Sequence, residues 1–387
     1  MPMTISVAWK RTGLASPLPS RGYRKINVKV KIAMLVAASE YARLTFDAAR
    51  SSGTARMVRG TKAATLTTMT TTSLTIGTLS AQPGTKVTGL VPVDVGTTTL
   101  EVPVAIVHGA RPGPRVAVTG GIHGAEYVSI AALREVVFSL DPSAVTGSLV
   151  AVLTASPAAF AARSIYVNPL DGLNLNRQFP GDPNGSPTQR LAHWLATEVI
   201  EGSDAFVDMH CGDMNEALDS FVGILDTGNP SVDARSRELA EAYGLRHLLI
   251  SKTTGTTLAV AGAHGIPGVL GEVGGQGLWP KDDVALHAAG FRRVLRAAGL
   301  IEDAPAEPGH RTELLPDEAW MRATTTGYWH PAVGVGDRIE DGMEVGEVQD
   351  AFGNVLERPS APMAGVVIFL VSSLAMNAGD PLLALAG

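Results

Sequence analysis

The sequence predicts an α/β protein in three layers, a mixed and mostly parallel sheet with helices on both faces, followed by a small all-β unit. Short apolar, β-branched runs such as Val116-Ala117-Val118-Thr119 alternate with longer segments whose apolar residues recur at helical spacing, as over 127–140. Strands that alternate with helices tend to pair in parallel and to be buried on both faces, which makes them continuous apolar runs. After about residue 304 the helical spacing disappears, and 327–386 holds only short strand-like runs between Gly, Pro and Asp turns. The expected domains are therefore 73–304 and 305–387, the latter shaped as a small barrel or sandwich.

In chain order, residues 1–72 differ from everything that follows. The first 60 residues hold 11 Lys and Arg against 2 Asp and Glu, and a Thr-rich stretch closes the segment over 65–72. Such composition predicts a disordered arm or an upstream extension without chemistry. Strands are expected over 86–91 and 99–108, the second closed by the turn formers of 109–114, then 116–119 and 148–153 on either side of a helix at 127–140. Ser186 is a suitable N-cap and Pro187 a suitable first position for a helix over 187–200. Strands then follow at 205–209, 221–225, 247–251 and 269–273, with helices at 232–243 and 282–298. The C-terminal part resembles a lipoyl/biotinyl hammerhead in shape only, because no lysine follows Lys281 to carry a cofactor.

Composition narrows the function. At 45% hydrophobic and 18% charged residues the chain can bury a sizeable core. Beyond residue 60 it carries 20 basic against 35 acidic residues, and a phosphate backbone needs a basic face, so nucleic acid is not expected as a partner. The apolar run at 32–38 is too short to span a bilayer. No membrane partner is expected, the expected location is the cytoplasm, and homo-oligomerisation is left open. Cys211 is the single cysteine, so no intrachain disulfide can form.

The chemistry gathers where strands are expected to end. Gly120-Gly121-Ile122-His123-Gly124-Ala125-Glu126 lies between the strand at 116–119 and its helix, where open α/β sheets bind ligands. An imidazole and a carboxylate three residues apart suit a cation such as Zn²⁺, and His210, at the end of the next expected central strand, completes a His₂Glu set with a position left open for water. Asp208, two residues earlier on the same strand face, is placed to orient an imidazole, and Asp213 to do so from the loop. Asn176-Arg177 offers an amide and a guanidinium fork to a substrate carboxylate or a developing oxyanion, with Arg163 as a second cation. Glu272, an acid inside an otherwise apolar strand, suits a general base.

Four motifs occur in a fixed order: Gly121-Ile-His123-Gly-Ala-Glu126, Asn174-Leu-Asn176-Arg177 followed by Phe179-Pro180-Gly181, Asp208-Met-His210, and Gly271-Glu272-Val-Gly-Gly275. Together they resemble the succinylglutamate desuccinylase/aspartoacylase family of the zinc carboxypeptidase clan, over about 73–387. The resemblance implies a zinc-carboxypeptidase-like fold and one Zn²⁺ per chain on His123, Glu126 and His210. It implies substrate carboxylate or carbonyl contacts from Asn176 and Arg177, and Glu272 as base; Asn174 is a further candidate for binding substrate. Where many members carry Arg-x-Arg-Tyr, this chain reads Arg163-Ser164-Ile165-Tyr166. The expected function is a zinc-dependent deacylase of an N-acylated amino acid or related small amine. The alternatives are a metallocarboxypeptidase and a catalytically inactive binding module.

Overall fold

The computed structural model describes residues 72–387; the expectations for the preceding segment lie outside the described residues. A short hairpin, β1 (Leu74–Ile76) and β2 (Leu79–Ala81), precedes the main body. The chain then runs β3 (Thr85–Asp94), β4 (Thr99–His108), β5 (Arg111–Gly120), α1 (Tyr127–Ser139), β6 (Thr146–Val152), α2 (Pro157–Ala162) and α3 (Pro187–Trp194). It continues through β7 (Ala205–His210), β8 (Glu216–Leu218), β9 (Phe221–Leu225), α4 (Pro230–Tyr243) and β10 (His247–Ser251). Next come α5 (Thr257–Ala263), β11 (Gly268–Glu272), α6 (Lys281–Ala297) and β12 (Glu313–Leu315).

Nine strands form the large sheet in the order β12-β10-β9-β11-β7-β5-β6-β4-β3. The central β11-β7-β5-β6 are mutually parallel, whereas β9 meets β11, and β4 meets both β3 and β6, antiparallel. Alternation along β5 shows why its strand is apolar throughout. Val116 and Val118 pack with Leu133, Leu239 and Phe291 of α1, α4 and α6, while Ala117 packs with Leu191 and Leu258 of α3 and α5 on the other face. The mixed, mostly parallel, three-layer architecture is the one the sequence predicts.

Several boundaries differ for physical reasons. The turn expected at 109–114 is largely strand: β5 begins at Arg111, and a register shift between Arg111 and Arg115 takes Pro112 and Pro114, which have no N–H to give, out of the ladder. The helix expected over 187–200 is α-helical only to Trp194 and continues as a π-helix, Leu195–Ile200. At its start the Ser186 N–H donates to Gln189 Oε1 at 3.0 Å, one half of a capping box. Neither α2 nor α5 is expected from the spacing of apolar residues.

The C-terminal strands are β13 (Glu318–Arg322), β14 (Gly327–Pro331), β15 (Arg338–Ile339), β16 (Gly346–Gln349), β17 (Val355–Glu357), β18 (Gly365–Val371), β19 (Ala375–Met376) and β20 (Pro381–Ala386). They form two antiparallel sheets around Trp329, Val348, Val367 and Leu383. The two units exchange strands: β12 of the C-terminal stretch extends the large sheet beside β10, and β8 pairs with β18. Among the described residues no helix is long and apolar enough to cross a membrane.

Candidate metal centre

The parallel register sets Thr119 beside Asp208 and His210 beside Glu272, so β5, β7 and β11 end together at one edge of the sheet. At that edge Gly121 turns the chain with φ of 67°, where a Cβ would come within 2.9 Å of Ile130. That left-handed turn requires glycine, and it delivers His123 and Glu126, the N-cap position of α1, over the strand ends. Gly124 makes room for protein and not for a ligand: a Cβ there would lie 2.1 Å from the backbone nitrogen of Phe160. Backbone cannot swing aside as a side chain can. Gly124→Ala is therefore expected to destabilise the protein by at least about 1–3 kcal/mol, read as a lowered midpoint in urea denaturation.

His123, Glu126 and His210 offer ligand atoms that all lie within 4.8 Å of one another. Nδ1 of His123 is 2.5 Å from Glu126 Oε1, and Nδ1 of His210 is 2.9 Å from Glu126 Oε2. The outer nitrogens are both taken, Nε2 of His123 by Asn174 Oδ1 at 3.1 Å and Nε2 of His210 by Asp208 Oδ2 at 2.9 Å. Each ring is thus fixed with its Nδ1 turned inward, the orientation that metal-binding histidines take from their outer partners. The His123 side chain keeps 13% of its exposure against 2% for His210, so the cluster opens on the His123 side.

The charges fit a cation. Burial works against protonation of His123, yet the Glu126 carboxylate beside it raises its pKa above the usual imidazole value. Burial likewise opposes a charge on His210, but Asp208 and Glu126 push its pKa well up. Glu126 is held below the carboxylate range in spite of burial by the same two imidazoles, His210 first. A divalent ion bound by these nitrogens would have to displace any proton they carry, so its binding would be coupled to proton release. Two imidazoles and one carboxylate are the donor set of an open zinc site. Beside them stands Glu272, half-buried, with its Oε2 shielded from solvent and lacking any partner. Burial drives its pKa well above the ordinary carboxyl value, with His210 opposing and Glu126, Glu216 and Asp208 adding to the rise.

Other expected residues take more specific places. Asn174 holds His123, as described. Asn176 is buried, and its Oδ1 accepts the Thr257 N–H at 3.0 Å, capping the start of α5. Arg177 is exposed and free of any carboxylate among the described residues; its Nη1 donates to the Asn176 carbonyl at 2.6 Å. Arg163 is also exposed and stands at the left-handed end of α2 with φ of 54°. Cys211 is buried in the core as expected, and its N–H reaches Glu126 Oε2 at 3.3 Å. Asp213 touches no ligand imidazole: its carboxylate accepts the N–H groups of Tyr166 and Met214.

Two hydroxyls escape sequence reasoning. Thr119 and Thr257 donate to the two oxygens of Asp208 at 2.7 and 2.5 Å. A further cluster braces the mouth. The Tyr166 hydroxyl donates to Asn215 at 3.1 Å, and Glu216, brought up to about 7 chiefly by burial, accepts the Asp213 N–H at 2.7 Å. Glu216 opens β8, so the C-terminal sheet buttresses the site through that strand.

A three-layer α/β body with a His-Glu-His cluster at the carboxyl edge of its sheet, braced by a C-terminal β unit, defines the class. Residues 112–298 match the profile described as the succinylglutamate desuccinylase/aspartoacylase catalytic domain. Over those residues the chain is similar to that family. An N-alpha-acetyl-L-2,4-diaminobutyric acid deacetylase of Halomonas elongata is 29% identical over 256 residues, which cover 64% of this chain and 74% of that protein. A succinylglutamate desuccinylase/aspartoacylase structure from Rhodobacter sphaeroides aligns with a TM-score of 0.72 at 26% identity, over 78% of this chain and 95% of that one. The product-bound ectoine utilization protein EutE of Ruegeria pomeroyi shares the fold, with a TM-score of 0.73 at 23% identity over 79% and 96% of the two chains.

Proposed function

We propose that this chain is a zinc-dependent hydrolase that cleaves the amide bond of an N-acylated amino acid or related small amine. One observation carries the proposal: two inward-facing imidazoles and a carboxylate converge at an edge where Glu272, with its Oε2 shielded and unpartnered, stands on the adjacent strand. Similarity to the succinylglutamate desuccinylase/aspartoacylase catalytic domain and likeness to a deacetylase support amide hydrolysis.

In this scheme His123, Glu126 and His210 hold the ion, with Asp208 and Asn174 fixing the two rings. A zinc ion held there would supply an acidified water and a polarising charge for the scissile carbonyl. Glu272 takes the proton of the attacking water on Oε2 and returns it to the departing nitrogen. Arg177, free of any carboxylate partner among the described residues, presents its guanidinium fork to the carboxylate of the substrate. Asn176 places it, since its cap on α5 ties the Arg177 loop to the strand edge.

Metal analysis and hydrolysis of N-acetyl, N-succinyl and N-formyl amino acids, with short peptides alongside, test the proposal. One zinc per chain with acyl-amino-acid turnover is expected; zinc with cleavage of peptides alone would replace it with a carboxypeptidase, and zinc without any turnover would end it. A chelator is expected to abolish turnover and lower Tm. Zinc at a thousandfold its Kd stabilises the folded chain by about 4 kcal/mol. Because Asp208 and Glu126 raise the pKa of His210 against the effect of its burial, zinc affinity is expected to rise with pH as the imidazole sheds its proton. A competition titration against a chromophoric chelator at pH 6 and 8 reads the sign.

A further inference from the structure

Large apolar side chains crowd the loops that leave the site edge. Trp279 is 60% exposed, Leu278 58% and Phe160 44%, with Met214 and Ile165 also open to solvent. Exposed apolar groups gathered in one place mark a binding surface more often than groups scattered singly. Tyr127, the residue after Glu126, ties them to the site: its ring meets Trp279 edge-on at 5.5 Å and Phe160 edge-on at 6.1 Å. On the other flank, Gly277 lies close enough to Met214 that a Cβ would sit 3.3 Å from its Cγ.

The polar groups on these loops leave little choice of ligand. Arg163 and Arg177 are the only cations in 153–181, 211–215 and 273–280. The acids there are already engaged, Asp171 by Thr188 and Leu173, Asp213 by Tyr166 and Met214. Within these segments a cationic side chain would find no free carboxylate; of the acids beside them, Glu216 accepts the Asp213 N–H and Asp283 stands against Gly274 at the start of α6.

Resting on the deacylase proposal above, we infer that Phe160, Tyr127 and Trp279 form the subsite for the side chain of the released amino acid, and that the preferred substrates are N-acyl amino acids with large apolar or aromatic side chains. Arg177 takes their α-carboxylate while the aromatic row covers the side chain.

The test is kcat/KM of the zinc-loaded protein for N-acetyl derivatives of glycine, leucine, phenylalanine, aspartate and 2,4-diaminobutyrate. Covering a leucine or phenylalanine side chain is expected to favour those substrates over glycine by about 30-fold. Trp279→Ala and Phe160→Ala are each expected to reduce the phenylalanine-to-glycine ratio about tenfold, with Trp279→Phe restoring most of it. A wild-type preference for the aspartate or diaminobutyrate derivative overturns the subsite and leaves the deacylase standing. So does a Trp279→Ala protein that keeps the ratio but changes oligomeric state by light scattering, since the row would then be a subunit contact. Failure to hydrolyse the N-acetyl, N-succinyl and N-formyl derivatives of all five, glycine included, removes the deacylase and the subsite with it.

Discussion

Glu272→Gln is expected to lower kcat by about a hundred- to ten-thousandfold, the usual contribution of a positioned general base, while one zinc per chain stays bound. The change is nearly isosteric, and Oε2 has no protein partner to lose, so the fold is undisturbed. Turnover close to wild type with metal in place would transfer the base role elsewhere. Stability is expected to move the other way. Burial raises the folded pKa of Glu272 well above its ordinary value, so its contribution is full below the carboxyl range and is lost as pH rises through the higher folded pKa. At pH 7–8 the metal-free wild type therefore carries a penalty that the amide removes. Metal-free Glu272→Gln should melt higher than metal-free wild type, and by a margin that grows with pH in differential scanning calorimetry. Activity falling while apo stability rises separates a functional carboxyl from a structural ion pair, which would show both falling together.

The parts of the fold legible in the sequence were those that need only a periodic pattern. The β5–α1 unit and the long helices α4 and α6 follow from apolar spacing, and the common edge of β5, β7 and β11 follows from parallel alternation. His123, Glu126 and His210 come together because each ends or follows a central strand. α5 was not legible: Thr257-Leu258-Ala259-Val260-Ala261-Gly262-Ala263 is apolar nearly throughout, and a run this short carries no period. With α5 unseen, the hydroxyl of Thr257 could not be placed on Asp208, nor the side chain of Asn176 on the backbone of α5. Asn176 and Arg177 are neighbours in sequence with separate tasks, one buried as a cap and one exposed as a cation. Only the packed structure distinguishes them. The strand exchange through β8 and β12 was equally hidden, since a three-residue strand takes its partner from tertiary contacts.

Asp208→Asn is expected to weaken zinc binding about 10- to 100-fold, the range seen when the outer partner of a ligand histidine is changed. Asp208 is fully buried and receives Thr119 at 2.7 Å, Thr257 at 2.5 Å and His210 Nε2 at 2.9 Å. A carboxylate accepts all of these, but an amide turns an N–H₂ towards at least one donor, and His210 loses the negative charge that keeps its outer nitrogen protonated. Asp208→Ala is harsher. It leaves the donors without a partner, and breaking such a buried set costs about 3–5 kcal/mol. Thr257→Val provides the control, because it removes one donor and leaves the carboxylate on His210, so stability should fall by about 1 kcal/mol with zinc affinity nearly intact. Measuring urea midpoints and competitive zinc affinity on all of these variants separates the two duties of Asp208. If Asp208→Asn and Thr257→Val lose equal stability and neither loses zinc affinity, Asp208 only fastens α5 to the sheet. Loss of zinc affinity confined to the Asp208 variants means that charge passed through His210 sets the metal site. The threonines then serve to hold that charge in the one position where the imidazole can use it.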